Sequence, residues 1–214
     1  MTEINELLTG YRRFYSRHFL RQDTYFAQLV TQGQAPKTLI IACSDSRVDP
    51  AIVLDADPGD IFVVRNVANL VPPYAPDGSH HGTSSALEFG VCNLKVRNII
   101  VLGHSACAGI GSLLADSHGQ SGGSFIPRWM DIAREARDYT IQCCGDASHP
   151  DARQLCEQQA MLISLRNLLT FSWIRERVES GELVLHGWYF NLSTGELSQW
   201  NEAAGSFVAV SPEL

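Results

Sequence analysis

The sequence predicts an α/β fold: a mostly parallel central sheet flanked by helices and preceded by an N-terminal helical arm. Two observations predict it. Residues 39–42 (Leu-Ile-Ile-Ala), 61–64 (Ile-Phe-Val-Val) and 98–102 (Asn-Ile-Ile-Val-Leu) are continuous apolar runs too short for helices. Strands buried on both faces read this way, without apolar–polar alternation. Between the runs lie stretches with three- and four-residue apolar spacing, and strands alternating with helices favour a parallel sheet covered on both sides.

Taken in order, Leu7, Leu8, Tyr11, Phe14, Tyr15, Phe26, Leu29 and Val30 recur at helical spacing and define an arm over 1–33, which Gly33 stops. The first strand follows Pro36, and the second follows the turn signal Asp-Pro-Gly-Asp at 57–60. Thr83, Ser84 or Ser85 is placed to cap a helix carrying Leu87, Val91, Leu94 and Val96. A further helix is expected to start between Ala106 and Gly109. Residues 116–125, rich in Gly and Ser, read as a loop. Helices are expected over 127–144 and 151–170, and strands over 183–190 and 197–200 add a sheet edge or hairpin. No internal repeat is visible. The organisation expected is one domain over 1–214, with the arm at 1–33 and an α/β core at 34–214.

Composition narrows the function. The 214 residues are 45% hydrophobic and 18% charged, an ordinary globular mix. A net charge of -7 gives no general footprint for nucleic acid or an anionic membrane. No apolar run reaches the length of a spanning helix. The acidic start lacks a basic n-region and an apolar h-region, so the expectation is a cytoplasmic protein with no leader. In a chain able to bury a large core, the six cysteines are not needed as disulfides and are free to act as ligands or nucleophiles.

Ligands of open α/β sheets gather at the carboxyl ends of the strands. Cys43 ends the first strand, His104 lies just past the end of the third, and Cys107 is three residues on. If those strands are neighbours, the three converge. Two cysteines and a histidine form a catalytic zinc set whose fourth position stays open for water. A strand-end cysteine is also commonly a small buried hydrophobe, so spacing alone leaves both readings open. Asp45 and Arg47 add weight, because charges beside a ligand must be paired or solvated.

The runs 42–48 (Ala-Cys-Ser-Asp-Ser-Arg-Val), 59–69 (Gly-Asp-Ile-Phe-Val-Val-Arg-Asn-Val-Ala-Asn) and 103–109 (Gly-His-Ser-Ala-Cys-Ala-Gly) closely resemble the β-class carbonic anhydrases, over nearly the whole chain. The resemblance implies a zinc enzyme interconverting carbon dioxide and bicarbonate, with one Zn2+ per chain on Cys43, His104 and Cys107. It also implies that Asp45 and Arg47 form a catalytic dyad that orients a hydroxide for attack on CO2. Zinc held by two thiolates and an imidazole has almost no net charge and acidifies water less than three histidines would allow, so an acceptor such as Asp45 is useful. Arg47 would keep that carboxylate off the metal.

Gln34 stands where plant-type members carry a substrate-binding glutamine, and Ile40 where the pH-switching subtype has tryptophan. The resemblance thus implies the plant-type subclass, with zinc open to water at neutral pH. Phe62 and Val67 match pocket lining for a small apolar gas. Phe89 and Ala108 occupy pocket positions where tyrosine and glycine are common. The family also implies a homodimer or dimer of dimers whose pocket is shared across the interface. A zinc-stabilised, non-catalytic scaffold is the alternative, and a hydrolase of larger substrates lacks a recognisable general base. Cys143, Cys144, His149 and Cys156 fit no zinc motif, His80 and His81 read as a solvated pair before a proton shuttle, and Arg65 and Asn66 read as braces.

Overall fold

The computed structural model describes residues 2–20, 24–115 and 125–211. They divide into two compact units, Met1–Ala35 and Pro36–Leu214. The first consists of two helices rather than one arm, α1 (Glu3–His18) and α2 (Thr24–Gln32). Glu3 and Glu6 at the start of α1 and Arg17 and His18 at its end complement the helix dipole. Its apolar stripe buries nothing completely: Leu7, Tyr11, Phe14 and Tyr15 are all exposed. Within this unit Phe26 of α2 meets Phe14 edge-on at 5.5 Å and stacks on Phe19 at 5.2 Å.

The second unit is built on six strands: β1 (Thr38–Cys43), β2 (Ile61–Asn66), β3 (Asn98–His104), β4 (Val184–Phe190), β5 (Leu197–Asn201) and β6 (Ser206–Ala209), in the spatial order β2-β1-β3-β4-β5-β6. The first four are parallel, and β5 and β6 add antiparallel strands at one edge. The runs at 183–190 and 197–200 form the expected hairpin, β4 pairing antiparallel with β5, while β4 also pairs in parallel with β3 and β6 is an unanticipated outer partner. In β1 and β3 every residue after the first is buried, which is why both read as unbroken apolar runs.

The helices are α3 (Pro50–Val53), α4 (Gly82–Glu88), α5 (Ala108–Leu114), α6 (Phe125–Met130), α7 (Arg134–Cys144), α8 (Ala152–Leu168) and α9 (Ser172–Glu179). Asp49 caps α3 by accepting from the Ala51 N–H. The expected cap of α4 is not made by Thr83, Ser84 or Ser85: the N-cap is His81 and no side chain bonds there. Beyond α4 the backbone continues as a π-helical turn, Phe89–Asn93, which keeps Leu87 and Val91 in the core. The helix expected over 127–144 is two, joined by a 3₁₀ turn at Asp131–Ala133. The loop predicted over 116–125 falls outside the described residues except for Phe125, which opens α6.

Helix α8 sets the spacing of the site. It lies so close to β3 that a Cβ on Gly103 would come within 2.3 Å of the Met161 sulfur. Glycine is required there by close approach. Met161 is fully buried in the main core with Leu39, Ile41, Ile99 and Val101. No helix among the described residues is long and apolar enough to cross a membrane.

Candidate metal centre

β1 and β3 are direct parallel neighbours, with Ala42 opposite Leu102, so their carboxyl ends bring Cys43 and His104 together. Cys107 joins them as the N-cap of α5. It arrives across a tight turn in which Ala106 takes the left-handed conformation, φ 58°, and not along one face of a helix. The three ligand atoms lie within 4.8 Å of one another and all three residues are buried. The sulfurs are 4.0 Å apart.

The donor chemistry fits a divalent cation. His104 Nδ1 lies 2.9 Å from the Ser105 carbonyl, which can only accept, so Nδ1 carries a proton. Nε2 is thereby left as the donor; it is buried and has no hydrogen-bond partner among the described residues. A hydrogen bond from Cys107 pushes the Cys43 thiol down against the opposing effect of burial, and the resulting thiolate, with burial, pushes Cys107 upward. Two thiols crowding one charge and an orphaned imidazole nitrogen are what a thiophilic cation such as zinc satisfies together.

Asp45 and Arg47 sit beside these ligands on the loop after β1. Arg47 grips Asp45 with a two-pronged contact, Nε to Oδ1 at 2.9 Å and Nη2 to Oδ2 at 2.7 Å, and its backbone N–H also donates to Oδ1 at 3.0 Å. The guanidinium holds the carboxyl well below the usual carboxylate range. Arg47 Nη2 also donates to the Ala106 carbonyl at 3.0 Å, tying the fork to the other ligand loop. Asp45 Oδ2 stands 3.9 Å from His104 Nε2.

Arg65 is a brace, as read from the sequence, and its target is this loop. It donates to the carbonyls of Cys43 (2.9 Å), Asp45 (2.7 Å) and Val48 (2.9 Å), and to Asp49 Oδ2 (3.0 Å). Asn66 ties its own chain, exchanging bonds with the Leu70 N–H and carbonyl.

The expected pocket residues divide. Val67 packs with Cys43, Cys107 and Ala68 and receives the Trp129 indole N–H on its carbonyl at 2.7 Å. Ala108 follows Cys107 directly and is exposed. Phe62 is elsewhere: it pairs with Leu39, four residues before Cys43, about 13 Å back along the strand. Phe89 stays with it, their rings 5.9 Å apart, and is 43% exposed. Gln34 lies in the exposed link after α2, in the other compact unit. His81 pairs with Asp77 at 2.8 Å. Cys143 is exposed and Cys156 fully buried, with no cluster of metal-binding geometry around either among the described residues.

Two residues with no role in the sequence reading also touch the site. Glu157, 4% exposed on α8, accepts from the Cys107 N–H at 2.8 Å and from the Tyr189 hydroxyl at 2.7 Å, and Arg153 donates to the Cys107 carbonyl at 3.0 Å. The available signal was a carboxylate sharing a helix face with Ala160, Met161, Ser164 and Leu168.

The family model for carbonic anhydrase matches residues 38–197. Beta carbonic anhydrase 6, mitochondrial, of Arabidopsis thaliana is 39% identical over 92% of this chain and 67% of its own length. Beta carbonic anhydrase 5, chloroplastic, of the same plant is 42% identical over 80% of this chain, which spans 56% of that relative. Among solved structures, the β-carbonic anhydrase CcaA superposes with a TM-score of 0.90 at 31% identity, covering 98% of this chain and 100% of that one. A tetrameric β-carbonic anhydrase from Sordaria macrospora gives 0.79 at 28% identity, covering 96% and 98%. With the parallel sheet, the buried Cys-His-Cys set and these relatives in agreement, the chain belongs to the plant-type β-class carbonic anhydrases, zinc enzymes that reversibly hydrate carbon dioxide to bicarbonate and a proton.

Proposed function

We propose that in this chain the zinc ligands are Cys43, His104 and Cys107 and that Asp45 and Arg47 orient the reacting water. Held by the Cys43 and Cys107 sulfurs and the His104 imidazole, zinc would supply a Lewis acid that acidifies water. The chain's own residues do the rest. Both Asp45 oxygens are fixed by Arg47, yet among the described residues Oδ2 accepts a hydrogen bond from Arg47 Nη2 alone, so it keeps a lone pair on the side of the ligand set. That lone pair accepts a hydrogen bond from the water whose oxygen attacks the carbon of CO2. Bicarbonate leaves, and the proton released passes to buffer. Arg47 keeps the carboxylate in place as an acceptor and prevents its swing onto the metal.

The observation that carries this reading is the Asp45–Arg47 fork with Oδ2 3.9 Å from the unpartnered Nε2 of His104. Its test is Arg47→Ala with zinc content and stopped-flow CO2 hydration measured on the same sample. Full zinc with a loss of roughly 10²-fold or more in kcat/KM is expected; full activity contradicts the dyad.

The substrate pocket is proposed to comprise Val67 and Ala108 near the ligands together with Phe62 and Phe89, with Gln34 included on sequence grounds alone. Phe62 and Phe89 do not reach this chain's own ligands, and β2, which carries Phe62, is an unpaired sheet edge with Val63 exposed. These facts support a homodimer or dimer of dimers in which a second copy presents its two rings to the metal site. A cytoplasmic location is proposed on the free cysteines, which suit a reducing compartment. Sedimentation and cell fractionation test the two statements.

A further inference from the structure

We infer that Arg153 and Glu157, one turn apart on α8, are positioning residues that hold the ligand Cys107 by gripping its backbone on both sides of its Cα. The inference rests on the reading of Cys107 as a zinc ligand. Glu157 Oε1 accepts from the Cys107 N–H at 2.8 Å, and Arg153 Nη2 donates to the Cys107 carbonyl at 3.0 Å. With both backbone groups fixed, the direction of the Cα–Cβ bond is fixed, and with it the reach of the sulfur.

The clamp is itself anchored. Arg153 Nε lies 3.4 Å from Glu157 Oε1, so the two side chains orient one another. The second Glu157 oxygen accepts from the Tyr189 hydroxyl at 2.7 Å. Tyr189 sits on β4 opposite Gly103 of β3, one residue before the ligand His104. The carboxylate therefore bridges the sheet, the helix and the ligand loop. A charged group this buried is costly unless each oxygen is satisfied, and both are. Gly111 leaves room for the grip, since a Cβ there would stand 3.1 Å from Arg153 Nη2.

The loop needs such a clamp. Only Ser105 and Ala106 separate β3 from Cys107, and Ala106 is held at φ 58°, where a residue with a Cβ is strained. The Cys107 N–H, next to the strained residue at the start of α5, is taken up by Glu157 Oε1. The other cysteine shows the same device: the Cys43 carbonyl receives Arg65 Nε at 2.9 Å. Each thiol ligand thus has an arginine on its carbonyl, and Cys107, next to the strained residue, has a carboxylate on its N–H as well. Outer groups that orient metal ligands change metal affinity by roughly 10- to 100-fold when removed.

The test measures the rate at which a chelator, pyridine-2,6-dicarboxylate, strips zinc from the folded holoenzyme, and the visible spectrum of the cobalt-substituted protein. Arg153 is half-exposed, so Arg153→Ala keeps the fold even if Glu157→Ala does not. Zinc release accelerated by roughly 10-fold or more in Arg153→Ala, with an altered cobalt spectrum, is expected. Glu157→Gln retains an acceptor for the Cys107 N–H and should recover most of the loss seen in Glu157→Ala. A wild-type release rate and cobalt spectrum in Arg153→Ala, or zinc release as fast in Glu157→Gln as in Glu157→Ala, whatever their melting temperatures, overturns the positioning role. Cys107→Ser separates the two readings: if it holds zinc like the wild type, the ligand assignment itself fails, and the clamp with it.

Discussion

Replacing Gly103 by alanine probes the contact that places α8 over the metal site. The new Cβ would stand 2.3 Å from Met161 Sδ and 2.8 Å from its Cγ. Ordinary contacts lie near 3.5–4.0 Å, so the sulfur must retreat by more than about 1 Å. Methionine has the torsional freedom to move, yet Met161 is fully buried among Leu39, Ile41, Ile99 and Val101. Overpacking of this kind costs about 1–3 kcal/mol, and because Cγ is crowded as well as Sδ the upper half of that range applies. At about 2–4 °C per kcal/mol for a chain of this size, Tm falls by about 4–12 °C. The assay is thermal unfolding at fixed protein and zinc concentrations, since both bias the midpoint. Met161→Ala opens a cavity and is destabilising by about 2–5 kcal/mol alone. In the double variant the alanine at 103 occupies part of that cavity, so the two penalties are sub-additive by about 1–2 kcal/mol. An unchanged Tm in Gly103→Ala, or strictly additive penalties, refutes the close packing of α8 on β3.

Three further outcomes follow from the same geometry. Burial, reinforced by the Glu157 charge and opposed by a Thr140 hydrogen bond, raises the Cys156 thiol from 9.0 to about 11. The folded state therefore keeps a proton that the unfolded state releases, so this contribution is intact below pH about 9 and falls away between pH 9 and 11 by about 3 kcal/mol. Urea unfolding at pH 8 and pH 10 should show a drop smaller by about 1 kcal/mol in Cys156→Ala than in wild type; equal drops contradict the shift. Arg65→Ala frees the carbonyls of Cys43, Asp45 and Val48 together. It should destabilise by about 2–4 kcal/mol and speed zinc loss, which calorimetry and chelator kinetics check. Stripping zinc from the wild type should abolish hydration and lower Tm, and both should return with one equivalent of Zn2+; recovery with magnesium alone contradicts a thiolate site.

The parts of the fold that could be read in the sequence were those with one dominant local cause. β1 and β3 were visible because both faces of each are buried, and their adjacency turned Cys43, His104 and Cys107 from a spacing into a place. Elements governed by tertiary contact were not visible. The runs 183–190 and 197–200 read as an edge or hairpin and do pair antiparallel, but nothing local showed that the first also pairs in parallel along the whole of β3. The α4 cap failed because the serines and the threonine lie inside the helix. Phe62 and Phe89 carried the right residue types for a pocket, but the strand register keeps them away from the same chain's metal ligands. Glu157 and Arg153 were missed since their shared partner, Cys107, is 50 and 46 residues away, on a loop no pattern in α8 announces.

Stopped-flow CO2 hydration across pH 6 to 9, on protein of known zinc content, tests the central claim most directly. Fast turnover with about one zinc per chain, rising smoothly through a single apparent pKa, is the predicted result. Full zinc occupancy without turnover at any pH in that range would contradict it and leave the Cys-His-Cys set as the core of a binding module.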